Sequence, residues 1–306
     1  RIVLDCDPGH DDAIAILLAA HAPGLRLEAI TTVAGNQTVE KTAYNALRVC
    51  SLAGIHSIPI AQGMDRPLVR ELVTAPSIHG SSGLDGPSLP EPTIPLSPLH
   101  AVDLLIELLL ASEGDLTVVA TGPLTNIATA MRREPAIVPK IQRIVLMGGS
   151  IGLGNWTPAA EFNIYVDPEA AHIVFTCGRP VTMVGLDVTH TAQATPDVRA
   201  RVRALGTPVA HLVDDLLGFF AETYLKVFGF SAPPLHDPCA VAHVADPTLL
   251  RTQPMRVDVE LRGELTLGRT VCDVHGVTGK PANAQVGVGI DVPRFWDLLI
   301  ETLATY

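Results

Sequence analysis

The feature that most constrains this chain is an alternation. Short runs of apolar, often β-branched residues recur along it, each followed by a stretch with helical periodicity. RIVLDCD (1–7) precedes DDAIAILLAAH (11–21), and LEAITTVAG (27–35) precedes TVEKTAYNALRVCSLAG (38–54). LTVVATG (116–122) precedes LTNIATAMRR (124–133), IQRIVLMGG (141–149) precedes DPEAAHIVFTCG (167–178), and VTMVGLDVTH (181–190) continues the series. Strands that are apolar at nearly every position are buried on both faces, as in a parallel sheet whose right-handed βαβ crossovers lay helices on either side. The sequence therefore predicts an α/β fold, a single domain over residues 1–306 with a central, mostly parallel sheet flanked by helices. In such sheets ligands bind beyond the carboxyl ends of the strands, where the loops carry the chemistry.

The rest of the chain fills in around that core. Residues 62–98 are rich in Gly, Pro and Ser and read as a long surface excursion, a length that is usually functional or mobile. Two helical patterns run from Thr195 to Phe230, and HDPCAVAHVADP (236–247) begins another helix. MRVDVELRG and LTLGRTVCDV form an expected antiparallel pair, and PRFWDLLIETLATY is a terminal amphipathic helix, giving a C-terminal helical and β-hairpin elaboration. With 47% hydrophobic residues in 306, the chain can bury a sizeable core. A net charge of −11 with no basic run disfavours a nucleic-acid polymer as partner. No leader pattern opens the sequence and no stretch approaches 18 uninterrupted apolar residues, so no membrane segment is expected and a cytoplasmic location is. The five cysteines, Cys6, Cys50, Cys177, Cys239 and Cys272, never form a CxxC pair and read as reduced thiols.

Negative charge gathers at the first strand end. LDCDPGHDDAIAI (4–16) places Asp5, Asp7, Asp11 and Asp12 within eight positions, with Pro8 and Gly9 at the turn. A carboxylate at a helix N-terminus can simply cap free N–H groups, which accounts for one or two aspartates. Four close together raise one another's pKa unless a positive charge joins them, and a hard divalent cation with oxygen ligands is the usual resolution. EF-hand spacing is absent. Further oxygen ligands must come from other strand ends: Asn36 in VAGNQT, Thr121 in VATGPLTN and Asp237 in LHDPCA. A haloacid-type phosphotransferase also starts with a strand ending in two aspartates, but DCDPG puts Pro8 where that pattern needs another residue.

LDCDPGHDDAIAI resembles the signature of the nucleoside hydrolases, the inosine-uridine and pyrimidine-preferring N-ribohydrolases. ITTVAGNQT, IHGSSG, ATGPLTNIA, IVLMGG, GNWTPAAEFNIYVDPEAA, VGLDVTH and HDPCAVA continue the resemblance in the family's order over nearly the whole chain. It implies the nucleoside hydrolase fold with a Rossmann-like core, and hydrolysis of the N-glycosidic bond of ribonucleosides to ribose and free base. It implies a calcium ion held by the carboxylates of Asp7, Asp12 and Asp237 and the backbone carbonyl of Thr121. Asp11, Asn36, Asn155, Glu161 and Asn163 would hold the ribose hydroxyls. A homo-oligomer, dimer or tetramer, is expected.

The chemistry gives these residues work. A water must lose a proton, and Asp7 is the expected general base as well as a metal ligand. The leaving base must be protonated or hydrogen-bonded, and His236 beside Asp237 and His79 in the Gly/Ser-rich excursion are the candidates, with His236 the expected acid. Tyr224 in YLKVFGF matches an aromatic substrate-binding position of the family, whereas Phe228 stands where the inosine-uridine type often has Tyr, which points toward pyrimidines. His10, Met147 and Trp156 are left without a role. Two other functions compete: a nucleoside- or sugar-binding protein without turnover, and a metal-dependent phosphohydrolase, for which no Lys, Arg or Gly-rich helix start accompanies the aspartates.

Overall fold

In the computed structural model, which describes residues 1–306, all five residues of β1 (Ile2–Cys6) are buried and their side chains divide between two cores. Ile2, Leu4 and Cys6 face one core and Val3 the other, as the two-residue period of a strand requires. The chain continues through α1 (His10–His21), β2 (Leu27–Thr32), α2 (Val39–Ala53), β3 (Ile60–Gln62), α3 (Pro76–His79), α4 (Ala101–Ala111), β4 (Leu116–Ala120) and α5 (Thr125–Arg133). Then come β5 (Ile141–Met147), α6 (Phe162–Val166), α7 (Pro168–Phe175), β6 (Val181–Val184), α8 (Leu186–Thr189), α9 (Pro196–Arg203), α10 (Pro208–Phe228) and α11 (Asp237–Ala245). β7 (Leu250–Val259), β8 (Thr270–Asp273), β9 (Ala284–Ile290) and α12 (Val292–Leu303) complete it.

All nine strands join one sheet in the order β3-β2-β1-β4-β5-β6-β9-β7-β8. Pairing is parallel from β3 to β9, and β7 runs antiparallel to both β9 and β8. The expected antiparallel pair is present, but it lengthens the main sheet instead of standing apart. β9 slips between it and β6. Its sequence, AQVGVGI, hides this strand because Gly287 and Gly289 interrupt the apolar run, and Gly287 is required where a Cβ would come within 2.9 Å of Val188.

One core holds α1 against α10, α11 and α12; the other packs α4, α5 and α7 on the opposite face. α1 is buried at ten of its twelve positions, which explains its apolar character all round. Helix starts follow a repeated local rule: Asp167, Thr195 and Thr207 each accept a backbone N–H three residues on, and Pro follows each at the first helical position. Strand order reverses between β1 and β4, so their carboxyl ends open a crevice between diverging connections. Asp7 follows β1 there and Thr121 follows β4. The long excursion carries only α3, and α3 delivers His79 to that crevice.

Candidate active site

Two helix N-termini converge at the crevice. Asp11 and Asp12 lie in the first turn of α1, and Asp237 opens α11. Their carboxylate oxygens lie within 4.8 Å of one another, and all three side chains are buried. The helix dipoles favour negative charge here but supply only a fraction of a unit each. No lysine or arginine pairs with any of them. Burial, reinforced by the Asp12 charge, pushes Asp11 up to about 7, and burial pushes Asp12 up to about 6. Asp237 is driven well above the carboxylate range by burial and by Asp11 and Asp12. Such a group is costly as it stands and well matched to a divalent cation.

Asp7 sits beside this trio, and the local backbone is shaped around it. Its Oδ2 accepts the Asn36 backbone N–H at 2.7 Å. Its Oδ1 is buried with no hydrogen-bond partner, a lone pair that a cation or a water would satisfy. Gly35 and Gly122 flank it because a Cβ on either would lie 2.1 Å and 2.6 Å from its two oxygens. Asn36 ties the next loop in through Nδ2, which donates to the Asp7 carbonyl and to Asp12 Oδ2, both at 3.1 Å. The Thr121 hydroxyl donates to Asp12 Oδ1 at 2.8 Å, and its carbonyl accepts from Asn163 Nδ2 at 2.8 Å. Asp5 does not join them. It lies within β1 on the face that carries Val3, and accepts from Thr31 and Asn126 at 2.5 and 2.8 Å.

A cavity of about 220 Å³ opens above the acids. Asp11, Asn36, Asn155, Glu161 and Asn163 line its polar wall, with Thr121 and Asp237 at its base. Glu161 is held rigidly, since its two oxygens accept from the backbone N–H groups of Gly149, Asn163 and Ile164 at 2.9–3.1 Å. Burial lifts its carboxyl to about 7. Asn155 Oδ1 accepts the Phe162 N–H, which fixes the 155–162 loop. The lining also has an apolar part, built by Ile78, Phe162, Phe220, Val227 and Phe228 with Met147 and Trp156. One cavity thus offers oxygen and amide groups together with apolar and aromatic surface.

A sequence model of the family described as inosine-uridine preferring nucleoside hydrolase matches residues 2–297. The chain belongs to this family. It is 49% identical over 306 residues to the pyrimidine-specific ribonucleoside hydrolase RihB of Escherichia coli strain K12, with 100% of this chain and 97% of that protein covered. A purine-preferring ribonucleoside hydrolase from Gardnerella vaginalis superposes with a TM-score of 0.93 at 35% identity, covering 99% of this chain and 98% of that one. A plant nucleoside hydrolase, the PpNRh1 enzyme, superposes at 0.92 and 32% identity, covering 100% and 99%. This nucleoside hydrolase therefore cleaves the N-glycosidic bond of ribonucleosides.

The hydrolase also carries a buried chain of three hydrogen-bonding side chains at this cavity. The Tyr224 hydroxyl lies 2.7 Å from His236 Nε2, and Thr189 Oγ1 lies 2.7 Å from His236 Nδ1. Both imidazole nitrogens are thus engaged, and burial lowers His236 to about 3, so the ring is neutral. The structure brings the expected metal-holding, ribose-binding and leaving-group residues together at one place, with Asp7 and Asp12 outside the cavity lining, whereas Asp5 stands apart from them. Sequence reading missed Thr189, which ends the short α8, and Phe220, which lies one helical turn before Tyr224 on α10. VGLDVTH did belong to the matching segments, yet a single threonine in it carried no signal. His10 proves to be buried behind His79, away from the cavity lining.

Proposed function

We infer that this hydrolase acts on pyrimidine ribonucleosides with a calcium ion held by Asp7, Asp12 and Asp237 and the Thr121 carbonyl. The orphaned Asp7 Oδ1 beside three mutually repelling carboxylates is the observation that carries this reading. The donor set is all oxygen, which suits a hard cation over a soft one. A calcium ion would supply charge neutralisation and Lewis acidity, lowering the pKa of water at the site.

The protein's own groups divide the remaining work. Asp7 Oδ1 takes the proton from the attacking water, while Asn36 N–H keeps the carboxylate in place through Oδ2. Asp11, Asn36, Asn155, Glu161 and Asn163 grip the ribose hydroxyls, which places the anomeric carbon and shelters the positive charge that develops on the ring. On the other side, negative charge moves onto the departing base. With His236 neutral, the hydrogen nearest the base is that of the Tyr224 hydroxyl, and His236 Nε2–H steers it by donating to the Tyr224 oxygen. In that arrangement Thr189 donates to His236 Nδ1, so the three groups point one way.

The pyrimidine preference is supported by the likeness to RihB and by Phe228, which offers the base no hydroxyl. A reducing-sugar assay over uridine, cytidine, inosine and adenosine tests it. Uridine or cytidine is expected to give the highest kcat/KM; an enzyme faster on inosine or adenosine would overturn the preference, and no ribose release from any of the four would overturn the site assignment. Light scattering tests the expected dimer or tetramer.

A further inference from the structure

The active site lies beyond the carboxyl ends of the parallel strands, and a separate cleft of about 540 Å³ opens at the amino ends of β5, β6 and β9. Arg143 reaches it from the start of β5 and Arg179 from the turn between α7 and β6. Arg256 comes from β7, which the antiparallel pairing of Met255 with Ala284 brings back beside the start of β9. These residues are far apart in the sequence, and the strand order β5-β6-β9-β7 gathers them. Although the chain carries a net charge of −11, no acidic residue lines this cleft.

A guanidinium taken out of water is normally matched by a carboxylate or by carbonyl groups. Here most of that capacity is unspent. Arg143 is half-buried and forms no ion pair, and burial pulls its pKa down with no carboxylate to offset the effect. Its charge bears on His243 of α11, which is neutral and has no partner for Nδ1. Arg179 donates Nε to the Ile141 carbonyl at 2.9 Å, and its two terminal amino groups are unpaired. Arg256 donates Nε to Asp258 Oδ1 at 2.9 Å, but Lys280 draws on the same carboxylate at 3.1 Å. Arg143, Arg179, Arg256 and Lys280 thus bring four positive charges against the single negative charge of Asp258. Thr182, 8% exposed, adds to the lining a hydroxyl with no protein partner.

A partly desolvated charge without a counter-charge costs stability, and a fold that keeps several together breaks its local rules where a ligand restores the balance. Forks arriving from three strands suit an anion with acceptor oxygens in several directions, which a tetrahedral phosphate offers and a planar carboxylate does not. We propose that this cleft binds a phosphate dianion, free or as the monoester of a small molecule, with Arg143, Arg179 and Arg256 around the phosphate and Thr182 donating its hydroxyl. The cleft has the size of a small-molecule site, with Phe175 and Pro180 as apolar surface for an organic part. The active cavity has no lysine or arginine on its lining, so the two sites take ligands of different charge.

Calorimetric titration of the full chain with ribose 5-phosphate, inorganic phosphate and uncharged ribose tests the site. Ribose 5-phosphate is expected to bind with a Kd below about 1 mM at low salt, and more weakly as ionic strength rises. Binding about tenfold tighter than that of inorganic phosphate assigns the monoester, whereas equal binding assigns the free anion. Arg143→Met and Arg179→Met should each weaken phosphate binding about tenfold or more, Arg143→Lys should restore only part of it, and ribose binding and ribonucleoside hydrolysis should not change. Phosphate should raise the Tm of the wild type but not of Arg143→Met, whose own Tm should equal or exceed the wild-type value because an unpaired charge is gone. No saturable phosphate binding, or binding that survives in both methionine variants, overturns the proposal. So does a lower Tm of Arg143→Met with binding unchanged, which would make Arg143 structural. A changed oligomeric state of the variants in light scattering, without phosphate binding by the wild type, would assign the arginines to a contact between copies and equally overturn it.

Discussion

Replacing His236 by Ala removes the group that holds the Tyr224 hydroxyl, because the two meet at 2.7 Å in a buried pocket and His236 has its other nitrogen on Thr189. A positioned acid or hydrogen-bond donor is worth about two to four orders of magnitude in kcat, or roughly 3–5 kcal/mol of barrier. Tyr224→Phe should lose a similar factor, and the double variant little more, since the pair acts as a unit. Each single variant also leaves a buried partner unmatched, at a cost of about 1–3 kcal/mol of stability, so a modest fall in Tm accompanies the kinetic loss. The decisive assay compares uridine with 4-nitrophenyl riboside, whose leaving group departs without a proton. On the activated substrate both variants should stay close to wild type while uridine hydrolysis collapses. Equal losses on both substrates would refute the leaving-group role and mean that His236 merely places Asp237 or the sugar.

Asp7→Asn should lower kcat by at least about three orders of magnitude with the fold intact, since it removes a base and a metal ligand together; an unchanged rate in the purified variant would sink the metal-site assignment. Exhaustive chelation should abolish activity, with added calcium restoring both activity and Tm, and Asp237→Asn should weaken that restoration; activity that survives removal of all metal would exclude a cation from the reaction. Burial holds His243, remote from the cavity, at about 4 instead of near 6.5, so its contribution to stability is present above pH 6.5 and is lost as pH falls toward 4. His243→Leu should flatten the acid limb of stability by a few kcal/mol at most, read by urea unfolding between pH 7 and 4; an unchanged limb would show that other groups control it. Phe228→Tyr should shift the ratio of kcat/KM values toward inosine, and a constant ratio would remove Phe228 from base selection.

The α/β class was legible in the sequence because a strand buried on both faces must be apolar throughout, and LTVVA and IVLM carry that mark without reference to anything distant. Residues such as Asp7, Asp12 and Asn36 were legible because acids and amides at strand ends stand out against that pattern. Tertiary structure decided what those letters do together. Asp5 and Asp7 look alike in the sequence, yet Asp5 lies within β1, where Thr31 and Asn126 hold it, whereas Asp7 follows the end of the strand into the crevice. Asp237 meets Asp11 and Asp12 across 225 positions only because α1 and α11 point their N-termini at one spot. His10 reads as one more turn residue until α3 and the 80–86 loop fold over it. Local composition marks the apolar parallel strands, whereas the glycine-interrupted β9, the burial of the aspartates and histidines and the pairing of charges and hydroxyls depend on distances that only the closed fold sets.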